Sequence, residues 1–104
     1  METTYEEMTT VFKALCDERR LRILELLKDG EECACLLGEQ LDMAQSSLSY
    51  HMKILCESGI VDSRQDGKWT HYKISDKGCD FAVSLLSNLT IPNTVSLSVN
   101  CCKK

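Results

Sequence analysis

Cys33-Ala34-Cys35 places two thiols two residues apart. Paired thiolates form a chelate for a soft ion, because soft metals and metalloids prefer sulfur to oxygen or nitrogen donors. Ten residues downstream, Gln45-Ser46-Ser47-Leu48-Ser49-Tyr50-His51 sets small hydrogen-bonding side chains on a helical apolar period. That composition suits a helix that reads base edges. Two chelating thiols inside the unit that would read DNA point to a switch, in which a thiophilic ion changes the reading geometry. The chain has seven cysteines and two histidines, His51 and His71. An odd number of thiols does not close a disulfide framework, and one chain offers too few imidazoles for a zinc site that needs several.

The elements that must position these residues follow from periodicity and breakers. Tyr5, Met8, Phe12, Leu15 and Cys16 recur at helical spacing and predict a first helix over about Thr4 to Cys16. Asp17 is an N-cap for a second helix to about Lys28, with leucines and Ile23 around more than half of its circumference, so burial on most sides is expected. Asp29-Gly30 ends it. A short third helix is expected from near Cys33 to near Gln40, then a turn through Leu41 to Ala44, then a fourth helix over Gln45 to Ser58. Leu48, Met52 and Leu55 form its inward stripe, with Ser46, Tyr50 and Lys53 on the opposite side. A short helix, a tight turn and a small-polar helix read as helix-turn-helix. Two β-prone runs, 60–65 and 68–74, flank Asp66-Gly67 and predict a hairpin, a wing beside the helix-turn-helix. Ser75 or Asp76 caps a last helix to about Leu89, whose apolar residues lie on more than one face. One face suits the core and the other a partner subunit. Pro92 prevents continuation.

The fold class expected is therefore mostly α with a β-hairpin, a homodimeric winged helix-turn-helix. Residues 1–91 make one DNA-binding and dimerisation domain, and 92–104 an extended tail ending in the pair Cys101-Cys102. No apolar run is long enough to span a membrane. The acidic stretch Met1 to Glu7 is unlike a signal peptide, so a cytoplasmic protein is expected. Net charge is −4, which argues against indiscriminate nucleic-acid binding but leaves room for a reader with a locally basic edge. Lys53, Arg64, Lys68 and Lys73 supply such an edge. Gln45, Ser46, Ser47, Ser49 and Tyr50 are candidates for base edges or phosphates, Lys53 for phosphates, and His51, near the edge of the core stripe, for packing or a phosphate contact. Arg64 and Lys68 suit backbone or minor-groove contacts near the wing tip. Ala44 stands where a serine N-cap would be expected, so Ser46 caps one turn later or the helix start is loose. No nucleophile–base constellation or phosphate loop is present, and an enzyme is not expected.

From about Val11 to Ser75 the chain resembles the ArsR/SmtB family of metal-sensing winged-helix repressors. The matching stretches are Ala14-Leu15 with Arg19 to Leu24, Glu32-Cys33-Ala34-Cys35-Leu36, Gln45 to His51 with Lys53 and Leu55, Glu57-Ser58-Gly59-Ile60-Val61, and Gly67 to Lys73. The resemblance implies a homodimer joined through its first and last helices, which represses transcription at an imperfect inverted repeat of operator DNA until an ion releases it. Cys33 and Cys35 are similar to the third-helix site of the arsenite, antimonite, cadmium and lead sensors. No permanent cofactor is implied, and the inducer expected is As(III) or Sb(III), with Cd(II) or Pb(II) as the alternative. The arsenite branch often carries a third cysteine three positions beyond the second, where this chain has Gly38.

Trivalent arsenic then needs a third sulfur from elsewhere. Cys101 and Cys102 are the candidates, in the same subunit or its partner, since 12 extended residues from Leu89 reach about 40 Å at ~3.3 Å per residue. All four thiols together suit cadmium or lead, and a thiol redox switch needs no ion at all. On a regular helix, residues two apart diverge by roughly 200° around the axis. Binding by Cys33 and Cys35 is therefore expected to unwind the start of the third helix.

Overall fold

The computed structural model describes residues 3–93; the tail segment 94–104, with Cys101 and Cys102, lies outside the described residues. The elements run α1 (Tyr5–Ala14), α2 (Glu18–Leu27), β1 (Glu32–Cys33), α3 (Ala34–Leu41), α4 (Gln45–Glu57), β2 (Val61–Asp66), β3 (Trp69–Ile74) and α5 (Asp76–Thr90). This is the expected winged helix-turn-helix, with one strand more than the sequence signals. β1 pairs antiparallel with β3, Glu32 facing Tyr72 and Cys33 facing His71, so the sheet order is β1-β3-β2. A two-residue strand has no period of its own to read; it exists only because β3 offers a free edge.

Local chemistry sets the helix ends. Thr4 and Glu7 form a reciprocal capping box at α1, each side chain accepting from the other's backbone N–H at 3.0 Å. Asp17 caps α2 by accepting from the N–H groups of Arg19 and Arg20 at 2.8 and 3.3 Å. α3 stops at Asp42, which takes the left-handed conformation (φ 53°), and Met43 N–H returns to the Gly38 carbonyl at 2.9 Å. α4 starts at Gln45 with Ala44 as N-cap and no side-chain cap. Ser46 does not take over that role. The hairpin closes with Asp66 opposite Trp69, so its two turn residues are Gly67 and Lys68 rather than Asp66 and Gly67. Gly67 has φ +66°, the left-handed value that the first turn residue needs to match the strand twist.

The core takes side chains from every helix and from β2: Val11 and Ala14, Ile23 and Leu27, Leu37, Leu48, Met52 and Leu55, Val61, and Leu85. α2 corrects its expectation. Ile23 and Leu27 are buried, but Leu21 is exposed and the third buried residue is Arg20, 8% accessible. Its guanidinium donates through Nε to the Ala14 carbonyl at 2.9 Å and through Nη2 to the Lys13 carbonyl at 3.1 Å. Its Nη1 lies 2.9 Å from His51 Nδ1. Arginine has no acceptor and does not deprotonate, so His51 accepts, as the neutral ring with its hydrogen on Nε2. One side chain thereby ties the end of α1 and the start of α2 to the middle of α4.

A second junction joins α4, β2 and α5. Ser75 N–H donates to the Ile60 carbonyl at 2.8 Å, and the Ser75 hydroxyl caps α5 by accepting from Gly78 N–H at 3.0 Å. Gly78 lies so close to the preceding loop that a Cβ there would stand 1.7 Å from the Gly59 carbonyl oxygen.

Both junctions yield predictions. Gly78→Ala must push α5 off the Gly59 backbone and is expected to cost at least about 2 kcal/mol, toward the upper part of the overpacking range. Thermal unfolding followed by circular dichroism checks this; an unchanged melting temperature would overturn it. Burial lowers the His51 pKa from its ordinary 6.5; Asp17 opposes the shift, while Arg20 and Arg19 add to it. The unfolded chain then binds a proton that the folded chain refuses. The stability from this source is complete above ~6.5 and is lost as pH falls toward the folded value. Between about pH 7.5 and pH 5.5 the urea midpoint should therefore drop more in the wild type than in His51→Gln, which offers Arg20 an acceptor that does not titrate. Equal drops in the two proteins would exclude His51 as the source.

Candidate functional site

Cys33 belongs to two elements at once. It is the last residue of β1 and the N-cap of α3, with extended backbone (φ −84°, ψ 156°). Cys35 sits in the first turn of α3. The opposition of residues two apart on a helix therefore does not apply, because only one of the two is helical. Their Sγ atoms lie 2.9 Å apart. This removes the premise for unwinding: the two sulfurs already lie together, since the strand pairing of Cys33 starts the helix one residue later than periodicity implies.

The pair shares a proton unequally. The hydrogen bond from the Cys35 thiol holds the Cys33 pKa below the ordinary cysteine value of 9.0, and the Leu36 backbone N–H assists. The same bond, followed by burial, raises Cys35. Cys33 is thus the first thiolate, at a helix N-terminus, where free amides favour the anion. Glu31, two residues before Cys33, is held by Arg64, whose Nε donates to Oε2 at 2.6 Å.

Among the described residues, no cluster of three His, Cys, Asp or Glu side chains forms a metal site. Gly38 has no side chain to offer as a donor; a Cβ there would meet the Met43 carbonyl oxygen at 3.2 Å, a tight contact, and Leu48 Cδ2 at 3.8 Å, an ordinary one. Glycine lets α3 approach the helix-turn-helix turn. Cys56 and Cys79 are half-buried, and burial raises both pKa values, away from thiolate character. Cys16, expected to continue an apolar stripe, is exposed just past the end of α1.

The polar side chains of α4 are largely turned outward. Gln45, Ser46, Ser49, Tyr50 and Lys53 are exposed on α4, and Ser47 is half-buried. His51 is the exception. At 4% exposure and bound to Arg20, it is a core residue and not part of the outer face. A polar ring next to an apolar stripe gives no sign of which side it takes; the partner, Arg20, comes from 31 residues away. In the wing, Lys68 occupies the turn, fully exposed, and joins no ion pair among the described residues. Arg64 is engaged by Glu31, and its Nη1 lies 3.9 Å from Asp66.

A cleft of about 670 Å³ runs between α3, α4 and β3, lined by Cys35 and Gly38 on one side, Met43, Gln45, Leu48 and Ser49 on another, and Lys68 to Thr70 with Tyr72 on the third. It runs from Cys35 to both α4 and the wing.

The family described as bacterial regulatory protein, arsR family, matches residues 17–63, from the N-cap of α2 into β2. An arsenical resistance operon repressor of Staphylococcus aureus is 41% identical over 88% of this chain and 85% of its own length. The transcriptional activator HlyU of Vibrio cholerae is 33% identical over 86% of this chain and 82% of its own. The solution structure of a homodimeric winged helix-turn-helix DNA-binding domain from Mycobacterium bovis is similar with a TM-score of 0.66 at 27% identity, covering 82% of this chain and 83% of that one. Among the described residues, no helix is long and apolar enough to cross a membrane. With this identity across most of the chain, and the helix-turn-helix and wing in place, the chain belongs to the ArsR family of bacterial transcriptional regulators and is not an enzyme.

Proposed function

We propose that the protein is a homodimeric repressor that holds an imperfect inverted repeat of operator DNA and releases it when trivalent arsenic or antimony is captured by Cys33 and Cys35, with Cys101 or Cys102 as third sulfur. The observation that carries this reading is the 2.9 Å approach of the two Sγ atoms, one of them favoured as thiolate. Similarity to an arsenical resistance operon repressor supports the choice of ion. Gln45, Ser46, Ser47, Ser49 and Tyr50 take the major groove, with Lys53, Arg64 and Lys68 on the backbone.

The route from ion to DNA is short. Cys33 ends the strand that pairs with the wing, and Cys35 begins the helix that supports α4. An ion held by both sulfurs bears on both reading elements together, and its pull on β1 also bears on the Glu31–Arg64 bond. A cadmium or lead response would use all four thiols. A second reading is a redox switch, favoured by the same sulfur separation: a two-electron oxidant would join Cys33 to Cys35.

The dimer reading rests on α5. Val83, Leu86 and Leu89 are 65%, 55% and 52% exposed on the helix, with Tyr5 of α1 also exposed. Such a stripe at helical spacing asks for a partner.

Fluorescence anisotropy of the reduced protein on its own upstream DNA tests the function. Arsenite or antimonite should release the DNA, and Cys33→Ser, Cys35→Ser and truncation after Asn100 should each abolish release. Release chiefly by cadmium or lead would move the assignment to those ions. Release only by peroxide in metal-free buffer would establish the redox reading. For the dimer, Val83→Asp combined with Leu86→Asp should sediment as monomer and lose operator affinity, while a folded dimeric variant would rule out this face.

A further inference from the structure

α2 carries two arginines that the functional reading above does not use. Arg19 and Arg22 are exposed and stand three positions apart, so they share one side of the helix. Arg19 joins no ion pair among the described residues. Arg22 has a single pair with Glu18, 3.2 Å long, whose side chains are 59% and 81% accessible. An exposed pair of this kind is weak and yields readily to a better anion. The two arginines form one wall of a hollow of about 210 Å³. Its other walls are the turn from Leu41 to Ala44 and Ser47 in the first turn of α4.

This hollow is continuous with the polar face of α4, since Ser47 belongs to both. Gln45 and Ser49 face the wing residues Lys68 to Thr70 across the larger cleft, whereas Ser47 faces α2. The first turn of α4 therefore has a cation of the wing on one flank and two guanidinium groups on the other. A helix in the major groove meets bases with its N-terminal residues and has a phosphate strand along each flank. Guanidinium suits phosphate because its planar fork donates two parallel hydrogen bonds.

We propose that Arg19 and Arg22 grip one backbone phosphate at the border of each operator half-site, which makes α2 a third DNA-contacting element opposite the wing. The proposal rests on the DNA reading of α4 and the wing and adds a contact to it. The role is positional. Arg20 ties α2 to His51 of α4, so a phosphate held by the residue next to Arg20 fixes how α4 sits in the groove. Asp42 lines the same hollow without an ion pair to either arginine. Its carboxylate opposes the phosphate and limits the grip.

The test is operator affinity against salt for the full-length reduced protein, by fluorescence anisotropy, beside an unrelated duplex. Arg19→Gln should lower the slope of log affinity on log salt by about one for each subunit bound. It should weaken both duplexes by the same factor, because a phosphate contact carries no sequence information. Arg22→Gln should act alike, and the double variant should add little, since both side chains hold one phosphate. Asp42→Asn should tighten binding about threefold, the effect of one charge ~6 Å from the phosphate in water. Asparagine accepts the left-handed backbone that Asp42 adopts at φ 53°. Ethylation of operator phosphates should reveal one interfering position per half-site that disappears in Arg19→Gln and persists in Lys68→Gln. Lys28→Gln, at the other end of α2, should leave the slope unchanged. Melting temperatures separate a lost contact from a lost fold; if Arg19→Gln does not fold, Asp42→Asn and Arg22→Gln decide. An unaltered slope in Arg19→Gln while Lys68→Gln lowers it, or an equal fall in Lys28→Gln, would overturn the phosphate grip alone. Full affinity in Tyr50→Ala, Lys68→Gln and Arg19→Gln together would overturn the DNA reading of α4 and the wing, and the grip with it.

Discussion

A guanidinium cannot give up its charge, so burying one obliges the fold to surround it with acceptors. Arg20 meets that demand with two carbonyls at the end of α1 and the Nδ1 of His51 on α4. Among the described residues, no buried side-chain donor or acceptor is left without a partner. The arrangement constrains three helices at one point. α1 must end where its last carbonyls face α2, Asp17 must cap α2 so that Arg20 falls one turn inside it, and α4 must turn His51 inward. With His51 inward, Tyr50 and Lys53 are turned out. The orientation of the reading face is thus set from below, by a hydrogen bond that no part of that face makes.

The thiol site depends on a second positional constraint. Had β1 not paired with β3, Cys33 would be free to join α3, and the sulfurs would diverge. The pairing of Cys33 with His71 keeps its backbone extended, and the turn from strand to helix brings Cys35 back toward it. The approach of the two sulfurs is therefore set by the same strand that attaches the wing. In the proposed function, this is why a small displacement at the sulfurs can matter to DNA: the wing, α3 and the cleft between them share a border at Cys33 and Cys35.

Net charge is negative, yet, apart from Glu57 at its end, the exposed side chains of α4 are neutral polar or basic, and Lys68 stands in the wing turn. The Glu31–Arg64 pair occupies one cation of the wing.

Much of this was legible from residue types and spacing. The helices, the hairpin and the cap residues Asp17 and Ser75 follow from local rules, because caps, turns and amphipathic stripes are settled within a few residues of chain. The thiol pair and the outward serines, Tyr50 and Lys53 were legible for the same reason. What stayed hidden was non-local. β1 exists only against the edge of β3, so neither its two residues nor the convergence of Cys33 and Cys35 could be read from a helical wheel. Arg20 looks like one of three solvated arginines, and His51 like a ring at the edge of a stripe, until a contact across 31 positions pairs them. Gly38 looks like a missing cysteine, and only its closeness to Met43 shows that a side chain there would crowd the helix-turn-helix turn. The sequence by itself determined which elements form and which chemistry they carry. Tertiary structure alone decided which way those groups face and which of them meet, because burial and strand pairing depend on partners far away along the chain.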